Sequence, residues 1–376
     1  MENMAPGGLL MDMALNWWVF PALVVFSAGL GLALVPFARK VDLVDHPGHR
    51  KVHETVTPLT GGPAIFITLG AFMTWHLIDQ PFMQALLAGG TLIFLAGLAD
   101  DRKHLSPIVR FLVQVAACLV MVYHGNVYLE DFGSLFTNHV IELKHGAVPL
   151  TIFAALGVIN AFNMIDGMDG LSGGIFMVAA SGMAMYAGFA GAEHMHWLLL
   201  AAIFTVLGFM LLNARFPWNE KARIFLGDSG STLLGFILAW CFIALGSDLN
   251  ETGQRAYMPM TAVWLLAVPL MDTATLIWRR WRSGESALSA DQYHLHHAFL
   301  RAGFTTGETW TKIMTMAMAG GVIGLGFELS GLPEYFSFWF FLVCAFTYYL
   351  YMRKAWSIQR FLGRDFIYND FDEEDE

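Results

Sequence analysis

The sequence predicts an all-α integral membrane protein, a polytopic bundle of about eleven transmembrane helices, and three observations carry that expectation. Over 376 residues the mean hydropathy is +0.53. Hydrophobic residues make up 56% of the chain and charged residues 14%. Apolar runs long enough to cross a bilayer core of about 30 Å recur from residue 17 onward. These runs are continuous, without the alternation a transmembrane barrel strand requires, so the helix is the expected spanning element.

In chain order the windows centre on 17–37, 60–79, 83–99, 107–123, 148–165, 171–190, 197–213, 229–247, 258–278, 309–329 and 336–353. The first follows residues 1–16, which contain no Lys or Arg and so lack the basic start of a cleavable signal peptide; it is expected to remain as a span. Between the fourth and fifth windows, "VYLEDFGSLFTNHVIEL" within residues 124–147 suits a small surface hairpin. Cys118, Cys241 and Cys344 fall inside windows, where they read as small packing residues and not as bridges or metal ligands.

The basic residues set the orientation. With the N-terminus outside, 19 of the 21 Lys and Arg residues fall on inner loops and flanks, and only Lys144 and Arg255 fall outside. That asymmetry predicts a periplasmic N-terminus and a cytoplasmic C-terminus, which an odd number of spans satisfies. The expected organisation is a periplasmic segment 1–16, a transmembrane catalytic domain 17–353 and an acidic cytoplasmic tail 354–376. The tail, with "DFIYNDFDEEDE", supplies much of the net charge of -10 and reads as a solvated end. Nothing in the composition supports nucleic-acid binding.

Unusual polar chemistry gathers on the inner side. Asp100 and Asp101 end the third window, where the helix dipole is unfavourable to acids by about 0.3–1 kcal/mol each. Either Arg102 and Lys103 neutralise them in an ordinary loop, or the pair serves a divalent cation or a proton. "NAFNMIDGMDGLSGG" places Asn160, Asn163, Asp166 and Asp169 at the end of the fifth window, with both asparagines one turn apart. Their amides offer donors and acceptors, as a nucleobase edge requires; the plainer reading of D-x-x-D is a loop staple. "FLGDSGSTLLGF" opens a helix whose first amides can meet phosphate, while Asp228 can hold Mg²⁺; alternatively it is a capped helix start.

"HLHHAF" supplies His294, His296 and His297. With no cysteine nearby and two adjacent rings, these suit phosphates or the positioning of an acid better than tetrahedral zinc. Arg279, Arg280 and Arg282 carry guanidinium forks suited to pyrophosphate, although topology alone also predicts basic residues there. Asp272, an acid inside the 258–278 window, is either part of a site or the partner of a nearby hydroxyl or arginine.

Together these segments resemble the signature segments of the polyprenyl-phosphate N-acetylhexosamine-1-phosphate transferases, a glycosyltransferase 4 type. The segments that carry the likeness are "LADDRKHLSP", "NAFNMIDGMDGLSGG", "FLGDSGSTLLGF" and "SADQYHLHHAFLRAGF", with "DHPGHRKVHETVTPLTGG" in the first inner loop. They run in the family's order from about residue 42 to 307. Leu295 interrupts the three consecutive histidines that the lipid-II-pathway translocases tend to carry, so the likeness is greatest to members that use N-acetylglucosamine.

The resemblance implies transfer of N-acetylglucosamine 1-phosphate from UDP-N-acetylglucosamine to undecaprenyl phosphate, giving undecaprenyl-diphospho-N-acetylglucosamine and UMP. It implies Mg²⁺ or Mn²⁺ as cofactor, the bacterial inner membrane as location, and the start of O-antigen or enterobacterial-common-antigen type polysaccharides as context. Asp100, Asp101, Asp228 and His294 would be catalytic, with Asp101 and Asp228 at the metal. Asn160, Asn163, Asp166, Asp169, Arg280, His296 and His297 would bind the nucleotide sugar. The bilayer is a partner, and a homodimer stays open. The alternatives are another UDP-N-acetylhexosamine donor or, from a different class, an ion-coupled transporter, whose acids belong near mid-membrane and not at its edge.

Overall fold

A computed structural model describes residues 17–46, 56–215, 219–248, 251–284 and 293–354. The expected N-terminal segment 1–16, most of the first inner loop, residues 285–292 and the tail from 355 lie outside the described residues. The chain is an α-helical membrane protein. Its helices are α1 (Val19–Ala33), α2 (Val35–Lys40), α3 (Gly61–His76), α4 (Pro81–Lys103), α5 (Pro107–Tyr123), α6 (Ala147–Ile165) and α7 (Leu171–Ala190). There follow α8 (Glu193–Asn213), α9 (Gly227–Leu245), α10 (Pro259–Leu265), α11 (Ala267–Ser283), α12 (Leu295–Arg301), α13 (Thr306–Ser330) and α14 (Glu334–Arg353). Two short strands, Val44–Asp45 and Thr57–Pro58, pair antiparallel.

Every apolar window coincides with helix. Among the described residues, eight helices are long and apolar enough to cross a membrane, or nine when a bent pair counts as one span. That pair is α10 and α11, where one continuous helix was expected over 258–278; the axes bend by 81°. Pro269 explains the break. It has no N–H to give, and its ring clashes with the carbonyl four residues back, at Leu265, the last residue of α10.

Helix α9 is the hub. It is buried along almost its whole length and packs against α4, α6, α3 and α7. Gly97 of α4 makes this possible: a Cβ there would stand 2.4 Å from the Ser229 Cα, a backbone atom that cannot yield. The end of α4 and the start of α9 therefore lie at one level of the bundle. Phe162, Phe176, Phe236 and Trp240 fill the interior below them, fully buried.

The opposite end is closed by the segment between α5 and α6. Backbone hydrogen bonds from Phe132 to Ile141, Ile141 to Gly133 and Leu143 to Glu130 build the expected hairpin. Arg255 pairs with Asp131 across this surface, and Glu334 accepts the amides of Ser134 and Met260 at 2.7 and 2.9 Å. Burial alone would raise the Asp131 carboxyl, but the Arg255 guanidinium and the Gly133 amide outweigh it and hold the group below the usual carboxylate range.

Candidate active site

The site is assembled from helix ends. α4 stops with His104 in a left-handed conformation, φ 48°, and α5 starts on Ser106, whose hydroxyl accepts the Val109 amide, followed by Pro107 at the first helical position. This tight return carries Arg110 back onto Asp100. Arg110 Nη1 donates to Asp100 Oδ2 at 2.7 Å, and the Leu105 amide donates to Oδ1 at 2.6 Å. Asp100 is only 3% exposed. Its cation is thus Arg110, while Arg102 and Lys103, the expected neutralisers, face outward.

Asp101 does something the sequence reading did not foresee. Its carboxylate accepts the amides of Asp228 at 2.6 Å and Ser229 at 3.1 Å. The first amides of α9, expected to be available to phosphate, are therefore taken by a carboxylate from α4. The favourable dipole end of α9 fixes that carboxylate in turn. Gly227 permits the contact: its φ is +74°, and a Cβ there would lie 2.7 Å from Asp101 Oδ2.

Asp228, in the first turn of α9, is oriented from α6. Asn163 Nδ2 donates to Asp228 Oδ1 at 2.7 Å and to the Ser231 hydroxyl at 2.9 Å. Asn160 Nδ2 donates to Gln114 Oε1 at 2.9 Å and to the Leu156 carbonyl at 2.8 Å. The carboxyl groups of Asp100 and Asp228 come within hydrogen-bonding reach of each other. Two carboxylates so close favour a proton or a cation between them.

A cavity of about 420 Å³ opens on this constellation, within the range of small-ligand pockets. Asp100, Asn160, Asn163, Asp228, Arg280, His294, His296 and His297 line it, eight of the eleven residues singled out from sequence. Arg280 is 3% exposed. Its neighbour Arg279 instead lies over the Tyr293 ring, 4.2 Å from the centroid, so helical spacing points one guanidinium of the trio at the cavity. His294 and His296 stack with centroids 5.7 Å apart. Among the described residues neither ring nitrogen of His296 has a hydrogen-bond partner, and burial, with His297 and His294 beside it, drives its pKa well below the usual imidazole value. A buried neutral imidazole with two open positions is suited to a hydrogen-bonding ligand.

The other three residues stand beside the cavity. Asp169 accepts Arg215 Nε at 2.8 Å, and Asp166 accepts the Ser172 hydroxyl at 2.6 Å. Next to Asp169, the Gly170 amide donates to Asn213 Oδ1 at 2.7 Å and its carbonyl accepts Trp310 Nε1 at 2.9 Å. The D-x-x-D loop is thus clamped to α8 and α13. Sequence reasoning missed Arg110 and Gln114, which also line the cavity; an arginine in the first turn of an apolar helix was the available signal for the former.

Burial, outweighing the Ser172 hydrogen bond and reinforced by Asp101 and Asp169, pushes the Asp166 carboxyl up to about 7. A folded-state value above the unfolded one means the folded protein holds the extra proton, so stability falls as pH rises from about 4 to about 7. Asp166→Asn keeps an acceptor for Ser172 and removes the charge. It is expected to raise ligand-free stability at pH 8 by something on the order of 2–4 kcal/mol, seen as a higher thermal midpoint, and to flatten the slope below it. Thermal unfolding in detergent across pH 4–8 checks this; an unchanged slope would contradict it.

The donor set fits a hard divalent cation. Among the described residues no three His, Cys, Asp or Glu side chains converge on one point. Magnesium, however, is held by one or two carboxylates completed by substrate phosphates and water, and Asp100 with Asp228 supplies two facing carboxylates at the cavity wall.

Residues 83–246 match the family model described as glycosyl transferase family 4. The chain is 35% identical over 331 residues to the undecaprenyl-phosphate alpha-N-acetylglucosaminyl 1-phosphate transferase of Escherichia coli K12, covering 87% of this chain and 88% of that protein. The protein of the same name from Yersinia pestis is 32% identical, covering 90% and 92%. That of Haemophilus influenzae is 34% identical, covering 91% and 97%.

Proposed function

The chain belongs to the polyprenyl-phosphate N-acetylhexosamine-1-phosphate transferases, glycosyl transferase family 4, and on that premise we propose that it transfers N-acetylglucosamine 1-phosphate from UDP-N-acetylglucosamine to undecaprenyl phosphate. The products are undecaprenyl-diphospho-N-acetylglucosamine and UMP. The carrying observation is the convergence of Asp100, Asp228, Arg280 and the three histidines on one cavity at a helix-end level of a membrane bundle. The names of relatives at 32–35% identity support N-acetylglucosamine 1-phosphate as the transferred group and undecaprenyl phosphate as the acceptor.

Asp228 and Asp100 would hold the metal, with Asp100 in the place expected for Asp101. Asp101 serves the metal region by holding the backbone that carries Asp228. A bound Mg²⁺ or Mn²⁺ would neutralise phosphate charge and polarise the phosphorus under attack. Asn163 aims Asp228, Asn160 and the clamped loop of Asp166 and Asp169 form the nucleotide wall, and Arg280, His294, His296 and His297 serve the diphosphate and sugar. The lipid phosphate arrives beside Arg110, whose α5 neighbours Ile108, Phe111 and Leu112 are exposed apolar residues suited to a lipid-facing approach.

The acceptor is a phosphate monoester with a second pKa of about 6 and is already dianionic at neutral pH. Its oxygen attacks the sugar-linked phosphorus in one displacement, and UMP leaves. No enzyme base is needed; positioning and charge neutralisation carry the rate. The positive-inside pattern supports an odd number of spans, a periplasmic N-terminus and a site on the cytoplasmic face of the bacterial inner membrane. The product would initiate cell-envelope polysaccharides of the O-antigen or enterobacterial-common-antigen type.

Washed membranes given undecaprenyl phosphate, Mg²⁺ and a panel of radiolabelled UDP-sugars test this, with a tunicamycin-type inhibitor as control. A lipid-soluble product is expected with UDP-N-acetylglucosamine, sensitive to chelation and to the inhibitor. No product with any UDP-N-acetylhexosamine would overturn the reading, and product with a different N-acetylhexosamine alone would move the donor assignment.

A further inference from the structure

Asp272 is 1% exposed inside the apolar α11, yet it lines no part of the cavity. A carboxylate buried this deeply is expensive unless its oxygens are fully hydrogen-bonded, and they are. His294 Nδ1 lies 2.8 Å from Oδ2. Oδ1 accepts the Leu295 amide at 3.1 Å and the Tyr348 hydroxyl at 2.7 Å. Three elements, α11, the start of α12 and α14, therefore meet at one side chain.

The chemistry of that junction fixes the histidine. An ionised carboxylate only accepts hydrogen bonds, so Nδ1 must carry the proton, and the lone pair or second proton of the ring resides at Nε2. Nε2 is on the far side of the ring from Asp272, and His294 is a cavity residue. The side chain of His294 is 8% exposed, so solvent does not compete for Nδ1. Stacking against His296 restrains the same ring from another side. The Leu295 amide bond also ties the backbone that follows His294 to the same carboxylate, leaving the ring little freedom to swing away.

We propose that Asp272, held by Tyr348, is a positioning residue for the transfer reaction: it sets the tautomer and rotation of His294 so that Nε2 faces the substrate phosphates or sugar. This makes α14, outside residues 83–246 matched by the family model, part of the active-site architecture. The inference rests on the proposed transferase reading, and its test separates the two.

In Asp272→Asn the carboxamide has nearly the same shape, but its NH₂ can face Nδ1 and favour the opposite tautomer. Supporting partners of this kind are worth about 10- to 100-fold. The test is a cycle of Asp272→Asn, His294→Ala and the double variant in purified full-length protein, read as kcat and KM for UDP-N-acetylglucosamine. Asp272→Asn alone is expected to lower kcat by about 10- to 100-fold with a smaller change in KM. In the His294→Ala background it is expected to add less than about 2-fold, because the group it positions is gone. An equal loss in both backgrounds would assign Asp272 to the scaffold and overturn the proposal. Should Asp272→Asn not accumulate as folded protein, Asp272→Glu, which keeps the charge but displaces the acceptor, is read in the same cycle with the same two outcomes. A wild-type protein that forms no lipid-linked product from any UDP-N-acetylhexosamine would instead sink the transferase reading.

Discussion

Asp228→Asn is expected to lower turnover by about 1,000-fold, the upper range for losing one element of preorganised electrostatic stabilisation, while the protein stays folded. The substituted amide still offers an oxygen to Asn163 Nδ2, now 2.7 Å from Asp228 Oδ1. The Asp101 bonds go to backbone amides and are untouched. What disappears is the charge beside the Asp100 carboxyl at the cavity wall. The pair loses its capacity for a divalent cation, and without ligand the variant is relieved of carboxylate repulsion. The expected signature is therefore near-zero kcat at saturating Mg²⁺ with a thermal midpoint no lower than the parent's. Retained turnover would remove Asp228 from the metal site.

Arg280→Ala is the second large effect. Arg280 is 3% exposed and lines the same cavity as the three histidines, where a charged hydrogen bond to a diphosphate is little screened. Truncating one side of a buried charged pair costs about 2–5 kcal/mol; a loss near 3–4 kcal/mol corresponds to about 100- to 1,000-fold in kcat/KM. Arg280→Lys keeps the charge but not the planar fork and is expected to fall between. Steady-state kinetics with UDP-N-acetylglucosamine as the varied substrate checks the order. Near-normal kcat/KM for the alanine variant would exclude Arg280 from the diphosphate.

The helices were legible because a bilayer tolerates only long apolar segments, so composition alone marks where the chain crosses. The bend between α10 and α11 was not foreseen, although Pro269 was its signal: hydropathy averages over a break that hydrogen-bonding chemistry creates. Local polar motifs were legible as well. Asp100, Asn163, Asp228 and His294 each stand in a segment whose glycines or charges conflict with an apolar surrounding, and all reach one cavity.

Partnership was not legible. Asp101 is spent on amides 127 and 128 residues away, which nothing near it in sequence suggests, and its position beside α9 depends on the absence of a side chain at Gly97. Arg110 is only ten residues from Asp100, but the pairing needs the left-handed turn at His104. Asp272 could be suspected of a role as an intramembrane acid, yet of its two expected partners, hydroxyl or arginine, it found the hydroxyl of Tyr348 and, unforeseen, an imidazole. Periodicity reveals which face a residue occupies; it does not reveal which distant side chain completes its hydrogen bonds.

A metal-dependent displacement at the sugar-linked phosphorus dictates the fate of each phosphate of the donor. Purified protein in vesicles with undecaprenyl phosphate and Mg²⁺ would receive UDP-N-acetylglucosamine labelled with ³²P at either the α or the β position. The β label is expected in the lipid-linked product and the α label in released UMP, both transfers ending on chelation. Release of UDP with no label in the lipid, or α label in the lipid, would contradict the mechanism.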